Sequence, residues 1–280
     1  MHEPLPSPIV HPPRGDLPVL LSVPHAGRDY PDWLVAMARG GLQSLLPLED
    51  PLVDRLVWRA LGEGMAAVIA RAPRAAVDCN RAEDEIDPAS VHGQPMPAGR
   101  PSARARGGLG IVPSRTARHG NLWRRSISLP DLEQRLAGAY RPYHDAVAAN
   151  LDALTRRFGC ALLLDCHSMP PAAGGAAVVF GDRYGRSAAP WLAAGASRIA
   201  AKQGFSAAIN DPFAGGHVVE RHGAPHLGIH AVQIEIDRRC YLTDTGEPGR
   251  EFDRIAVLIK TVAVELGSQL LEQRLDTAAE

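Results

Sequence analysis

The run Ala161-Leu162-Leu163-Leu164 has no polar face, and it leads directly into Asp165-Cys166-His167-Ser168. A strand this apolar must be covered on both sides, which requires a sheet with helices packed above and below it. Two other runs have a related form. Leu21-Ser22-Val23-Pro24-His25 closes a strand predicted over 18–23, and Val232-Gln233-Ile234-Glu235-Ile236 falls in one predicted over 230–236. In open α/β sheets the ligand crevice lies at the carboxyl ends of the strands, so residues delivered there can converge. Two histidines and a glutamate delivered in this way point to a mononuclear zinc hydrolase.

The remaining pattern alternates in the same sense. Leu52, Leu56, Val57 and Leu61 recur at helical spacing within 47–65, behind Asp50-Pro51 as N-cap and first helical residue. Further helices are predicted over 131–158, with an interruption at Pro142, and over 190–203 and 250–271. Strands are predicted over 66–70, 75–78 and 176–180, with a turn-rich stretch at 210–216. The expected fold is α/β: a single domain over 17–280 with a central mixed, mainly parallel sheet flanked by helices. Residues 1–16 carry five prolines and are expected to form an extended, poorly ordered arm. Within 84–121 periodicity gives way to Pro, Gly, Ser and Arg, as in a functional lid or a mobile loop.

Composition excludes several classes. Across 280 residues, 45% are hydrophobic and 22% charged, which is ordinary for a globular enzyme. A formal net charge of -1 offers no field for nucleic acid, and the arginine clusters lack interleaved aromatics. No apolar run approaches the roughly 20 residues of a membrane helix, and the N-terminus does not resemble a signal peptide. A cytoplasmic location is expected. None of the four cysteines, Cys79, Cys160, Cys166 and Cys240, forms a C-x-x-C pair. They read as free core thiols, with Cys166 on the strand face opposite His167.

His25, followed by Ala26-Gly27, reads either as a zinc ligand or as a hydrogen-bonded loop histidine. His167 strengthens the ligand reading. Asp165, two residues earlier, would accept a hydrogen bond from its imidazole, or would instead cap local backbone donors. Glu235 shares a strand face with Gln233 and Asp237. On an edge strand it would be surface charge; in a central strand it is the natural general base for a water. Catalytic zinc takes three protein ligands, and the third is expected from Glu49, Asp50 or Asp54. Asp50 is preferred, although it competes for the helix N-cap role. There is no HExxH pair.

The runs Ser22-Val23-Pro24-His25-Ala26-Gly27, Asp50-x-x-x-Asp54-x-Leu56, Val77-Asp78-Cys79-Asn80-Arg81 and Tyr143-His144 are followed by four more. These are Asp165-Cys166-His167-Ser168, Gly181-Asp182-Arg183, Asn210-Asp211-Pro212-Phe213-Ala214-Gly215-Gly216 and Gln233-Ile234-Glu235. Taken in this order, from about Val19 to about Asp244, they resemble the N-formylglutamate amidohydrolase family, whose fold is similar to that of zinc carboxypeptidases. The resemblance implies one Zn2+ per chain on His25, Asp50 and His167, with Glu235 as base. It also implies that Asn80 and Arg81 receive a substrate carboxylate, with Arg183 and Arg221 as candidates for a second one. His144 is expected either as an auxiliary donor or as a packed residue of a helix over 139–154, and Arg100, Arg104 or Arg106 would add cationic contacts from the 84–121 segment.

The implied reaction is hydrolysis of N-formyl-L-glutamate to formate and L-glutamate, the closing step of one histidine-degradation route. Pro51 and His217 stand where an aromatic is expected in formylglutamate-specific members. Two alternatives follow: a zinc amidase or deacylase of another N-acyl amino acid or small peptide, and a metal-free binding protein that kept the fold. A small N-acyl amino acid is the expected partner, without nucleic acid or membrane.

Overall fold

A computed structural model describes residues 3–87, 90–92, 102–171 and 174–279. Seven strands form one sheet: β1 (Ile9–His11), β2 (Val19–Val23), β3 (Ala66–Ile69), β4 (Ala161–Met169), β5 (Val178–Gly181), β6 (Ala207–Ile209) and β7 (Ile229–Asp237). Their order is β1-β3-β2-β4-β7-β5-β6. β2, β4 and β7 run parallel, β5 is antiparallel to β7, and β6 is parallel to β5. The expected mixed, mainly parallel sheet flanked by helices is therefore present. All nine residues of β4 are buried, as its unbroken apolar run requires. The helix Phe252–Ala279 packs against β4, Trp58–Gly62 and Pro190–Lys202, burying Ile255, Ile259, Val262 and Leu266.

The chain forms two compact units. One, over Val10–Val23, Asp50–Val68 and Ala146–Glu280, carries nearly all of the sheet. The other, over Met1–Ile9, Pro24–Glu49 and Ile69–Asp145, is built from short elements. At its centre Arg135 is buried with its guanidinium 5.2 Å from the Trp33 ring and 5.6 Å from the Trp123 ring. Its Nη1 donates to the Ala76 carbonyl at 2.8 Å, and burial, opposed by Asp131, lowers its pKa to about 10.

Several elements differ from their sequence patterns. The helix expected over 47–65 is two short ones, Val53–Leu56 and Trp58–Gly62. Leu52, at φ 61°, holds the N-cap position, so Asp50 is not the N-cap of this helix. Residues 75–78 form a turn rather than a strand, because Ala76 N–H returns to the Pro73 carbonyl while Asp78 N–H donates to Ile111. The long helix widens instead of breaking: a π-helical turn at Leu136–Tyr140 joins Leu129–Arg135 to Arg141–Phe158. Pro142 has no N–H to return, which accounts for the altered turn ahead of it.

β4 continues past Leu164 through Met169, since its polar residues find partners within the sheet. In the proline-rich N-terminal stretch, Ile9–His11 adds an edge strand beside β3, and Leu5 is buried. From the 84–121 segment, Ala105, Ile111 and Val112 are buried, and Ile111 is bonded to Asp78 and Glu85. Residues 88, 89 and 93–101, with Arg100 among them, lie outside the described residues. No helix among the described residues is long and apolar enough to cross a membrane.

Candidate active site

The parallel register of β4 and β7 pairs Asp165 with Gln233 and His167 with Glu235, and β2 places Ser22 opposite Asp165. Strand alternation then puts all five side chains on one face. β7 lies between β4 and β5, so Glu235 belongs to a central strand, and it is partly exposed where its neighbours are buried.

Asp165 is fully buried and serves this face rather than backbone donors. Ser22 Oγ donates to its Oδ1 at 2.7 Å, and His167 Nε2 donates to its Oδ2 at 2.9 Å. His167 Nδ1 meets Asp50 Oδ2 at 3.0 Å. Burial opposes a charge on His167, but Asp165, Asp50 and Glu235 outweigh it and hold the imidazole well above the ordinary histidine range. Cys166 faces the other way, and burial beside Asp165 pushes its thiol up, which suits an inert filler. Gln233 fixes the rotamer of Glu235: its Oε1 accepts from Gly216 N–H at 2.7 Å while its Nε2 donates to Glu235 Oε1 at 2.8 Å. Gly181 admits this loop, since a Cβ there would lie 2.6 Å from the Ala214 carbonyl carbon.

Asp50 has a second partner that sequence reasoning missed. Arg238 Nη2 donates to Asp50 Oδ1 at 3.2 Å, and its Nε donates to Ser168 Oγ at 3.1 Å. Tyr241 holds the next peptide, donating to the Pro51 carbonyl at 2.8 Å. Arg238 follows β7 directly, so the same strand that carries Glu235 also fixes the Asp50 carboxylate. Arg238→Gln is expected to weaken zinc affinity by about 10–100-fold. Calorimetric titration with Zn2+ checks this, and unchanged affinity would reduce the contact to a folding role.

His25, two residues past β2, has its own buried carboxylate. Its Nε2 donates to Asp78 Oδ1 at 2.7 Å. Arg74 Nε donates to Asp78 Oδ2 and Asn80 N–H to Oδ1, both at 2.8 Å. Burial works against the Asp78 charge, yet Arg74, His25 and Arg81 hold its carboxyl well below the usual range. Asp78 and Arg74 are further residues that the sequence reading did not assign. The V-D-C-N-R run contained the first of them, without a local reason to choose it over its neighbours.

Arg81 is buried, with Nε donating to the Leu109 carbonyl at 2.9 Å and Nη1 to the Asn80 carbonyl at 2.7 Å. A surface salt bridge with Glu83, Asp84 or Glu85 is the other expectation for Arg81; its guanidinium bonds main-chain carbonyls instead, while Glu83 pairs with Arg141 and Glu85 accepts from Ser102 and Ala82 N–H. His144, expected as an auxiliary donor, is fully buried; its Nε2 bonds the Cys79 carbonyl at 3.0 Å, and its ring packs on Tyr140 and Tyr143. Together with Tyr140, whose hydroxyl donates to the Arg81 carbonyl at 2.8 Å, it braces the turn that presents Arg81. Arg183 is paired with Glu220 at 2.5 Å, and Arg221 is exposed on the helix His217–His222.

One ligand atom each from His25, Asp50 and His167 lies within 4.8 Å of the others, and all three residues are buried. Asp50, rather than Glu49 or Asp54, completes this set; Glu49 Oε1 instead accepts from the Tyr30 hydroxyl at 2.6 Å. Two imidazoles and one carboxylate make a donor set that suits zinc. Each imidazole also has its Nε2 on a buried aspartate, the arrangement that fixes the tautomer and ring orientation of ligating histidines.

Comparison with known proteins agrees with this geometry. The family model described as N-formylglutamate amidohydrolase matches residues 17–242. The chain is 32% identical over 272 residues to an N-formylglutamate deformylase of Pseudomonas putida, covering 92% of this chain and 94% of that one. It is 30% identical over 270 residues to the deformylase of Pseudomonas aeruginosa, with the same coverage of 92% and 94%. Among solved structures, the N-formylglutamate amidohydrolase of Ralstonia eutropha JMP134 superimposes with a TM-score of 0.87 at 28% identity, over 95% of this chain and 99% of that one. With the match to the family model spanning most of its length, the chain belongs to the N-formylglutamate amidohydrolase family.

Proposed function

We propose that this protein is a zinc-dependent hydrolase that converts N-formyl-L-glutamate and water to formate and L-glutamate. The observation that carries the reading is the buried His25, Asp50 and His167 donor set, with His167 paired in the sheet to Glu235. Bound by these three residues, zinc would supply a Lewis acid that polarises the formyl oxygen and acidifies the attacking water.

The chain's own groups account for the rest. Glu235 takes a proton from the attacking water and returns it to the glutamate nitrogen as the C–N bond breaks. Gln233 keeps the carboxylate of Glu235 in one orientation through this cycle. Arg81, with two of its donors tied to main-chain carbonyls, presents its remaining edge to a substrate carboxylate, a planar match that converts binding into orientation. The names of the two Pseudomonas relatives support the substrate; a place in the closing step of a histidine-degradation route, in the cytoplasm, is part of the same proposal.

The test is formate release by zinc-loaded protein, with and without chelator. Release from N-formyl-L-glutamate that chelation stops and zinc restores is the expected result. A protein that binds one zinc but releases no formate would sink this substrate and direct the search to other N-acyl amino acids.

A further inference from the structure

The two residues ahead of Asp50 are each held by a side chain that also belongs to the surroundings of His25. Tyr30, five residues past His25, donates its hydroxyl to Glu49 Oε1 at 2.6 Å. Arg74, whose Nε donates to the Asp78 carboxylate behind His25, also directs Nη1 to the Leu48 carbonyl. At 3.5 Å this is the weaker of the two ties. Burial, and then the charge of Glu49, push the Tyr30 phenol well above the ordinary tyrosine range, so it is the donor in its bond. Glu49 is itself buried and extended, directly after the short turn Leu46–Leu48.

The stretch from His25 to Tyr30 is fixed by close packing. A Cβ on Gly27 would run into the Ala72 carbonyl oxygen, so the chain there lies directly on Arg71-Ala72. Asp29 N–H donates to the Arg71 carbonyl at 3.2 Å, and Arg71 Nε returns to Asp29 Oδ2 at 2.7 Å. Tyr30 N–H then closes on the Arg28 carbonyl at 3.0 Å. Tyr30 is therefore held in place relative to His25, and its hydroxyl passes that placement to Glu49. All of these bonds lie inside one compact unit, which includes Pro24–Glu49 and Ile69–Asp145. One peptide bond further on is Asp50, the carboxylate of the donor set.

We infer that Tyr30 is a positioning residue for the metal: its bond to Glu49 sets where the following side chain, Asp50, stands relative to His25. This rests on the zinc hydrolase reading proposed above and adds to it a control on the spacing of two ligands. Asp78 orients the His25 ring and Arg238 orients the Asp50 carboxylate, but neither of those bonds joins one ligand segment to the other. The Tyr30 bond does. It reduces the arrangements the two segments can sample, so less ordering is left for the ion to impose when it binds.

Zinc affinity of the full chain tests this, measured by competition with a chelating dye of known affinity. Tyr30→Phe removes one oxygen and keeps the ring, and is expected to weaken zinc binding by about 10–100-fold, the range for groups behind a metal ligand. Glu49→Gln retains an oxygen that can accept from the phenol, and so should lose less than Tyr30→Phe. Co2+ bound in place of zinc supplies a second readout: its visible absorption reports ligand geometry, and the bands should shift in Tyr30→Phe. Tyr184→Phe, which removes an exposed phenol of the other unit, should leave affinity and spectrum as in wild type. A Tyr30→Phe protein with a lowered Tm but wild-type zinc affinity and Co2+ spectrum would overturn the inference, since the bond would then serve folding alone. A larger loss in Glu49→Gln than in Tyr30→Phe would also overturn it, because the charge of Glu49 and not the bond would then set affinity. Wild type that binds no zinc would overturn the zinc reading itself and this inference with it.

Discussion

Glu235→Gln is expected to lower kcat for formate release by about 10²–10⁴-fold while the protein still binds one equivalent of zinc. The substitution removes the proton acceptor and little else. Glutamine keeps the length of the side chain, and Glu235 is partly exposed, so no buried charge is stranded. Its partner Gln233 is already held by Gly216 N–H and can bond the new amide oxygen as it bonded the carboxylate. KM should move little, because Glu235 acts on the water rather than on the substrate carboxylates. Zinc stoichiometry by elemental analysis, measured beside kcat, separates the two roles open to this residue. Full activity in a zinc-loaded Glu235→Gln protein would remove Glu235 from the proton transfer, and lost zinc would make it part of the donor set instead.

His167→Ala carries the largest expected effect on stability. The imidazole lies between Asp50 Oδ2 and Asp165 Oδ2, and all three groups are buried. Removing it leaves like-charged carboxylates facing a cavity, and breaking a buried pair in this way costs about 3–5 kcal/mol. For a chain of this size that lowers Tm by on the order of 10 °C. The pH dependence has a definite sign. The folded pKa of His167 is raised, so its contribution is complete below the ordinary histidine pKa of about 6.5 and is lost as pH rises through the folded value. The Tm gap between metal-free wild type and His167→Ala should therefore narrow toward alkaline pH. Zinc should stabilise wild type by mass action and leave the variant unmoved. Thermal melts across pH, with and without zinc, measure all of this; a variant still stabilised by zinc to the wild-type extent would place the ion elsewhere.

Much of the site was legible because its parts are local. The D-x-H spacing puts Asp165 and His167 on one face of β4 by strand alternation, and that face is where their hydrogen bond forms. The same rule joined Gln233 to Glu235 and set Cys166 apart. The order of the motifs identified the family, which the comparison with known sequences bears out. Asp50 shows the opposite case. Aspartate before proline at the start of a helical pattern reads equally as an N-cap, and nothing nearby decides between the two uses of one carboxylate.

Chain alternation by itself determined the α/β class, the apolar centre of the sheet and the chemical types arriving at its carboxyl edge, because each follows from the spacing of neighbours. Tertiary structure decided which of those residues work together. Glu235 faces the site because β7 lies between β4 and β5, and Asp50 leaves its helix because His167, 117 residues away, and Arg238, 188 residues away, claim its two oxygens. Arg81 is held in place by a carbonyl 28 residues further on. Strand order and long-range hydrogen bonds depend on how distant segments are brought together, and a carboxylate or guanidinium with several possible partners is assigned only when the fold selects among them.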